Sequence, residues 1–178
     1  MRIVGGIYKG RVLCPFEKIG VRPTSDMTRE SLFNILQFRI AGAKFLDLFS
    51  GTGAVGIEAL SRGAKEVTLN DFGRESVALI KKNIEKLAIK DGVSVTSCDA
   101  LGLLKSGREK YDVIFLDPPY NSNLASEVLP YVYLSLEENG IVVLESDAPF
   151  SGEIDSLTVY DQRRYGKAHL TFFKKGEK

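Results

Sequence analysis

From Lys44 onward the chain alternates between two hydrophobic patterns. Short apolar runs occupy Lys44–Leu48, Glu66–Asn70, Val93–Ser97, Tyr111–Leu116 and Ile141–Glu145, and each reads as a strand. Between them lie segments of helical character: Ala54–Ser61, Glu75–Leu87, a short stretch near Leu101–Leu104, and Ala125 to about Leu134. Gly63 supplies a stop for the first of them. Strand and helix in alternation predict a parallel sheet buried under helices on both faces. Ser156–Tyr160 and His169–Lys174 read as two closing strands. Upstream, Ile3–Tyr8 and Arg11–Cys14 flank Lys9-Gly10 as a small hairpin, and Pro23 keeps Ile19–Pro23 extended. Thr24 or Ser25 can cap a helix running to about Phe38, with Asp26 in its first turn. No repeat, low-complexity tract or linker interrupts this order. Residues 1–178 are expected to form a single α/β domain, with residues 1–24 as its N-terminal extension.

The sharpest change of pattern falls at Phe45-Leu46-Asp47-Leu48-Phe49-Ser50-Gly51-Thr52-Gly53-Ala54-Val55-Gly56, where a buried strand passes through a glycine turn into a helix N-terminus. Gly51 and Gly53 allow a sharp turn and a ligand's close approach, and the helix behind them offers backbone N–H groups. This is a nucleotide-type cradle. Gly51 to Gly56 satisfies the dinucleotide pattern G-x-G-x-x-G, and Asp71 stands 18 residues beyond Gly53, about where a ribose-binding acid belongs. Asp47 argues for a different ligand. A carboxylate at the strand end would repel a pyrophosphate but attract the ammonium and sulfonium of S-adenosylmethionine. Asp47, Phe49, Ser50, Gly51, Thr52 and Gly53 are therefore expected to hold that cofactor.

Composition excludes several classes. Hydrophobic residues make up 44% and charged residues 26%, ordinary for a globular protein with a real core. No apolar run is long enough to span a membrane, and the N-terminus lacks a signal peptide's apolar region. Cys14 and Cys98 are isolated and there is one histidine, His169, so a disulfide framework, a zinc site or another metal centre is not expected. These features fit a reducing, cytoplasmic setting. The net charge of +1 hides a division. Arg2, Lys9, Arg11, Lys18 and Arg22 against Glu17 give residues 1–24 a net +4, and residues 162–178 carry +5. The intervening stretch has 13 basic and 21 acidic residues, a net −8. Basic ends around an acidic body suggest a polyanion held at the ends, although ordinary solvated surface gives the same count.

Ligands of open α/β sheets bind beyond the carboxyl ends of the strands, and four acids stand there: Asp47, Asp71, Asp99 and Asp117. Capping explains one such aspartate easily and four in succession poorly. Asp71 is assigned to the ribose hydroxyls and Asp99, with Ala100, to the adenine edge. The fourth end, Leu116-Asp117-Pro118-Pro119-Tyr120, is the most specific. Its prolines remove two N–H donors, leaving the Asp117 carboxylate and the Pro118 carbonyl as acceptors beside an aromatic ring. Such a set suits an exocyclic amine on a planar group, with Tyr120 stacked on the ring.

Asp47…Gly53 followed by Asp117-Pro118-Pro119-Tyr120 resembles the class I methyltransferases that modify planar amino nitrogens. The closer resemblance, over nearly the whole chain, is to the RsmD family, the bacterial 16S rRNA guanine-N(2) methyltransferases. It is carried by Arg2-Ile3-Val4-Gly5-Gly6, Gly10-Arg11, Arg22-Pro23-Thr24-Ser25-Asp26 with Arg29-Glu30, Leu32–Leu36, Asp47–Ala54, Gly56–Ala64, Phe115–Tyr120 and Arg164-Tyr165-Gly166. The resemblance implies a Rossmann-like, seven-stranded, mostly parallel sheet with its last strand antiparallel. It also implies action on 16S rRNA within the assembled or assembling small subunit, and the chain is expected to act as a monomer. Flipping a guanine requires a hold on its backbone, a task for Arg2, Lys9, Arg11, Arg22, Thr24, Arg163 and Arg164, while Tyr165 is equally suited to stacking on a base or to the core. One stretch departs: Asn70-Asp71-Phe72-Gly73 lacks the family's acid-then-charged run, so Asn70 competes with Asp71 for the ribose. Other readings are a methyltransferase of DNA or RNA adenine or of protein glutamine, a nicotinamide oxidoreductase, which leaves Asp117–Tyr120 without a task, and a non-catalytic RNA-binding module, which needs no cofactor loop.

Overall fold

The computed structural model describes residues 1–16, 25–119 and 122–176. Arg22, Thr24, Tyr120 and the stretch Ile19–Pro23 lie outside the described residues. The elements follow in the order α1 (Asp26–Ile35), α2 (Gln37–Ile40), β1 (Lys44–Asp47), α3 (Ala54–Ser61), β2 (Glu66–Asn70), α4 (Arg74–Lys86), β3 (Val93–Thr96), α5 (Ala100–Ser106), β4 (Tyr111–Leu116), α6 (Leu124–Val132), a 3-10 turn (Tyr133–Ser135), β5 (Leu136–Ser146), β6 (Leu157–Tyr165) and β7 (Ala168–Lys175). They build a seven-stranded sheet in the order β3-β2-β1-β4-β5-β7-β6. β1 to β5 run parallel, and β7 inserts antiparallel between β5 and β6. This is the Rossmann-like, mostly parallel seven-stranded arrangement expected from the sequence, with its last strand antiparallel.

The sheet is buried on both sides because its strands carry apolar residues in both phases of the pleat. Phe45, Val67, Leu69, Val113, Phe115, Val143 and Phe172 face one core with α1, α3 and α4, while Leu46, Ile114, Leu116, Val142, Leu144 and Phe173 face the other with α5 and α6. Gly56 is required by the first packing: a Cβ there would stand 2.2 Å from Leu69 Cδ2. Ser25, rather than Thr24, is the observed cap of α1, its hydroxyl accepting from the Thr28 amide at 3.0 Å. The expected single helix to Phe38 is broken into α1 and α2 at Leu36.

Two other segments differ from the sequence expectation. β5 begins at Leu136, not Ile141, because Leu136 pairs with Tyr111 before an irregularity lets Ile141 pair with Val113. The polar run Glu137-Glu138-Asn139-Gly140 hides that start. The N-terminal hairpin exists, but its pairing is confined to the base, where Arg2 bridges Val12, and residues 5–10 form a wide tip rather than a two-residue turn. It lies along α3. Val4 N–H donates to Glu58 at 2.8 Å, Tyr8 N–H to the Ser61 hydroxyl at 2.9 Å, and that hydroxyl to the Gly5 carbonyl at 2.6 Å. The fully buried Arg29 joins the clamp, reaching Glu58 at 3.4 Å, Asp26 at 2.9 Å and the Arg2 carbonyl. Much of the motif Gly56–Ala64 thus serves to seat the extension.

Candidate functional site

The strand order reverses between β1 and β4, and a cavity of about 720 Å³ opens at the carboxyl ends there. That is the switch point where ligands of open α/β sheets lie, and the volume suits a nucleoside-sized molecule. Its lining brings together Asp47, Phe49, Ser50, Gly51, Thr52, Asp71, Asp99, Ala100, Asp117, Pro118 and Pro119, nearly the full set expected from sequence. Gly53 stands just behind, in the left-handed conformation that starts α3.

The glycine loop is held by the chain's own acids. Ser50 N–H bonds the Asn70 carbonyl at 2.9 Å, and Gly53 N–H closes the turn on the Ser50 carbonyl at 2.7 Å. Gly51 N–H donates to Asp71 Oδ2 at 2.8 Å, and Gly56 N–H donates to Asp47 Oδ2 at 3.0 Å. Gly51 has φ +52°, and a Cβ there would meet open space within the cavity. Asp47 is 1% exposed, and this burial pushes its carboxyl up to about 7; the Gly56 amide opposes the rise, while the charge of Asp71 adds to it.

Asn70 and Asp71 occupy different positions in this scaffold. Asn70 is buried, its amide donating to the Leu48 and Cys98 carbonyls at 3.1 Å each and its oxygen accepting from Thr96 Oγ1 at 2.8 Å and Cys98 N–H at 3.1 Å. All its hydrogen-bonding capacity is spent on tying three strand ends together. Asp71 is half-buried and lines the cavity, and each of its oxygens takes one backbone amide, from Gly51 and Gly73, leaving acceptor capacity on each. Asp99 caps α5 through Gly102 N–H at 2.8 Å. Asp117 is half-buried after β4, Pro118 buried and Pro119 exposed.

Among the wall residues that the sequence reading did not assign to the site are Phe16, Phe72, Ser76, Cys98 and Leu124. Phe72 is 77% exposed although aromatic, a signal available only once its surroundings are known. Phe16 arrives from the N-terminal extension, 31 positions before Asp47.

The basic residues divide between the two edges of the sheet. Arg164 pairs with His169, and His169 with Ser146 at the carboxyl end of β5, so Arg163, Arg164 and Tyr165 stand on the cavity's edge. Arg163 is paired to Asp161 at 3.0 Å and Arg164 to the Gly166 carbonyl at 3.0 Å. Tyr165 is half-buried and packs on the core. Lys174 stands beside Ile141 at the other edge, where Lys175 meets Glu138 at 3.0 Å. The extension's tip, with exposed Lys9, sits against Ser61 at the far end of α3, and Arg11 donates to the Leu87 carbonyl at 3.0 Å beyond α4. Arg2 lies 3.8 Å from Asp26. No helix among the described residues is long and apolar enough to cross a membrane.

Comparison with known proteins gives one family model, described as Conserved hypothetical protein 95, which matches residues 1–174. The chain is 35% identical to Ribosomal RNA small subunit methyltransferase D of Escherichia coli K12, covering 88% of this chain and 76% of that protein. It is likewise 35% identical to the Haemophilus influenzae protein of the same name, covering 83% and 79%. Among solved structures, the Escherichia coli protein yhhF superposes with a TM-score of 0.88 at 29% identity, covering 98% and 97%. A Thermus protein described as hypothetical does so at 0.83 and 30%, covering 98% and 99%.

Proposed function

Since this chain belongs to the RsmD family, we propose that it methylates the exocyclic 2-amino group of a guanine in 16S rRNA, with S-adenosylmethionine as donor. In this reading residues 1–178 act as one methyltransferase domain, a cytoplasmic monomer whose substrate is presented in the assembled or assembling small subunit. One observation supports the cofactor most directly. Two amides that a pyrophosphate would need, Gly51 N–H in the glycine turn and Gly56 N–H in the first turn of α3, already donate to Asp71 and Asp47. The loop therefore presents negative charge where a dinucleotide brings its own, and that repulsion disfavours a nicotinamide cofactor. A cation is attracted by the same charge.

The donor set fits S-adenosylmethionine. Asp47 and the loop from Phe49 to Gly53 would hold its amino-acid end, Asp71 its ribose hydroxyls, and Asp99 with Ala100 its adenine, with Phe72 as an apolar shelf. When bound, this cofactor supplies an electrophilic methyl group on a sulfonium. The chain's own residues then have to orient the amine. Asp117 and the Pro118 carbonyl accept its two hydrogens, which turns the nitrogen lone pair out of conjugation with the purine. As the nitrogen gains positive charge, the Asp117 carboxylate stabilises it more than it stabilises the neutral amine, and it stands ready to accept the departing proton. Tyr120 would stack on the base.

The test is to incubate the protein with labelled S-adenosylmethionine and unmethylated small subunits, or their naked RNA, and map the label. The expected product is a single N(2)-methylguanine. Label on adenine, or on a glutamine of a ribosomal protein, replaces the guanine reading, and no label on either substrate overturns it.

A further inference from the structure

Asn83 has no part in the chemistry above, yet it is fully buried and both ends of its amide are used at long range. Its Nδ2 donates to the Thr52 carbonyl at 2.9 Å, in the middle of the glycine loop. Its Oδ1 accepts from Cys14 N–H at 2.7 Å, in the returning arm of the N-terminal hairpin. One side chain on α4 thus joins two segments 38 residues apart in sequence, Cys14 and Thr52.

Neighbouring contacts converge on the same joint. Met1 Sδ lies 3.7 Å from Thr52 Oγ1, and Leu13 N–H bonds the Met1 carbonyl at 3.2 Å. Leu13 is buried in the core between these contacts. Two residues beyond Cys14, Phe16 becomes a wall of the cavity that Thr52 also lines. Just past the end of the same helix, the Leu87 carbonyl anchors Arg11. The extension is therefore fastened to the cofactor loop at its base and carries Lys9 at its tip.

We propose that Asn83 is a positioning residue that ties the glycine loop to the N-terminal extension, so that filling the cofactor cavity fixes the extension and strengthens its hold on RNA. The inference rests on the cavity being the S-adenosylmethionine site. A buried amide satisfied at both ends allows little independent movement of either partner, since parting from one leaves a buried polar group unpaired. A ligand that orders the loop must then order Cys14 and Phe16 as well, and by linkage RNA that fixes the extension must tighten the cofactor.

Hydrogen exchange on the full chain, with and without saturating S-adenosylhomocysteine, tests this. In the wild type the product should slow exchange at Gly51–Val55 and also at Leu13 and Phe16, by roughly tenfold or more. Asn83→Asp keeps an acceptor for Cys14 but loses the donor to Thr52. Cys14→Pro removes the other bond and leaves α4 untouched, which covers the case in which the first variant fails to fold. In both, protection at Gly51–Val55 should persist while protection at Leu13 and Phe16 is lost. RNA stripped from small subunits should bind the wild type about fivefold tighter with the product present, and each variant equally with or without it. A wild-type response confined to Gly51–Val55, or one at Leu13 and Phe16 that survives in the variants, overturns the tie while leaving the cofactor reading intact. Absence of protection anywhere in the loop overturns the cofactor reading itself.

Discussion

The turns that follow β1 and β4 are neighbours and chemical opposites. β1 and β4 pair in parallel with Asp47 beside Phe115, and Leu48 N–H continues the ladder to the Phe115 carbonyl at 3.0 Å. The first turn, Ser50–Gly53, carries two glycines and two small hydroxyl residues and keeps its amides, then satisfies Gly51 N–H with an acid of the fold, as α3 does Gly56 N–H. The second, Asp117-Pro118-Pro119, keeps its carboxylate and loses amides, because two prolines have none. One turn is rigidified by its own hydrogen bonds and left negative; the other is stiffened covalently and left rich in acceptors. A cation suits the first and an N–H donor the second. Two adjacent loops can thus separate the task of holding a cofactor from that of orienting an amine.

This division of labour is most exposed to test at Asp117. If its task is orientation and charge stabilisation, Asp117→Ala should lower turnover by about 10²–10³, as for removal of a preorganised partner, and Asp117→Asn clearly less. Affinity for S-adenosylhomocysteine should change little in either. Single-turnover rates at saturating cofactor decide the matter: equal losses in both variants would make Asp117 an obligatory general base.

On the other turn, Asp47 predicts a pH dependence. Its carboxyl sits at about 7 in the fold against an ordinary 3.8, so the folded protein holds this proton more tightly than the unfolded chain does. Stability without ligand should therefore fall as pH rises from about 4 to about 7, and this contribution should level off above that. Cofactor affinity should move the opposite way, rising through pH 7 as the carboxylate forms to meet an ammonium. Asp47→Asn removes the buried charge and keeps an acceptor for Gly56 N–H. It should raise the melting temperature at pH 8, weaken S-adenosylhomocysteine by about tenfold and flatten its pH profile; a pH-independent wild-type affinity measured by calorimetry would contradict this.

A smaller effect concerns RNA. Arg163 and Arg164 stand on the edge shared by both turns, whereas Lys174 and Lys175 stand on the opposite one. Replacing the two arginines by Ala should weaken RNA severalfold and reduce the salt slope by about one for each phosphate no longer neutralised, while the two lysines should matter less. Equal slopes for the two double variants would dissociate RNA binding from the catalytic edge.

Local pattern was enough to reveal the alternation of strands and helices, the glycine loop and the four strand-end acids. The bounds of Ala54–Ser61, Glu66–Asn70 and Tyr111–Leu116 agree with the observed elements, because periodicity and glycine stops act within a few residues of chain. What these strand-end side chains bond was settled by the packing of distant segments. Asp71 meets Gly51 across 20 residues and Asn70 meets Cys98 across 28, through strand neighbours that local pattern does not encode. That is why Asn70 reads as a competitor for the ribose in sequence and proves to be fully committed in space. Charge shows the same limit. The cluster in residues 162–178 is continuous along the chain, yet the antiparallel turn from β6 to β7 carries Arg164 and Lys174 to opposite edges. The hairpin likewise sends Lys9 to the far end of α3 and returns Phe16 to the cavity, since hydrogen bonds to Ser61 and Asn83 fix its direction.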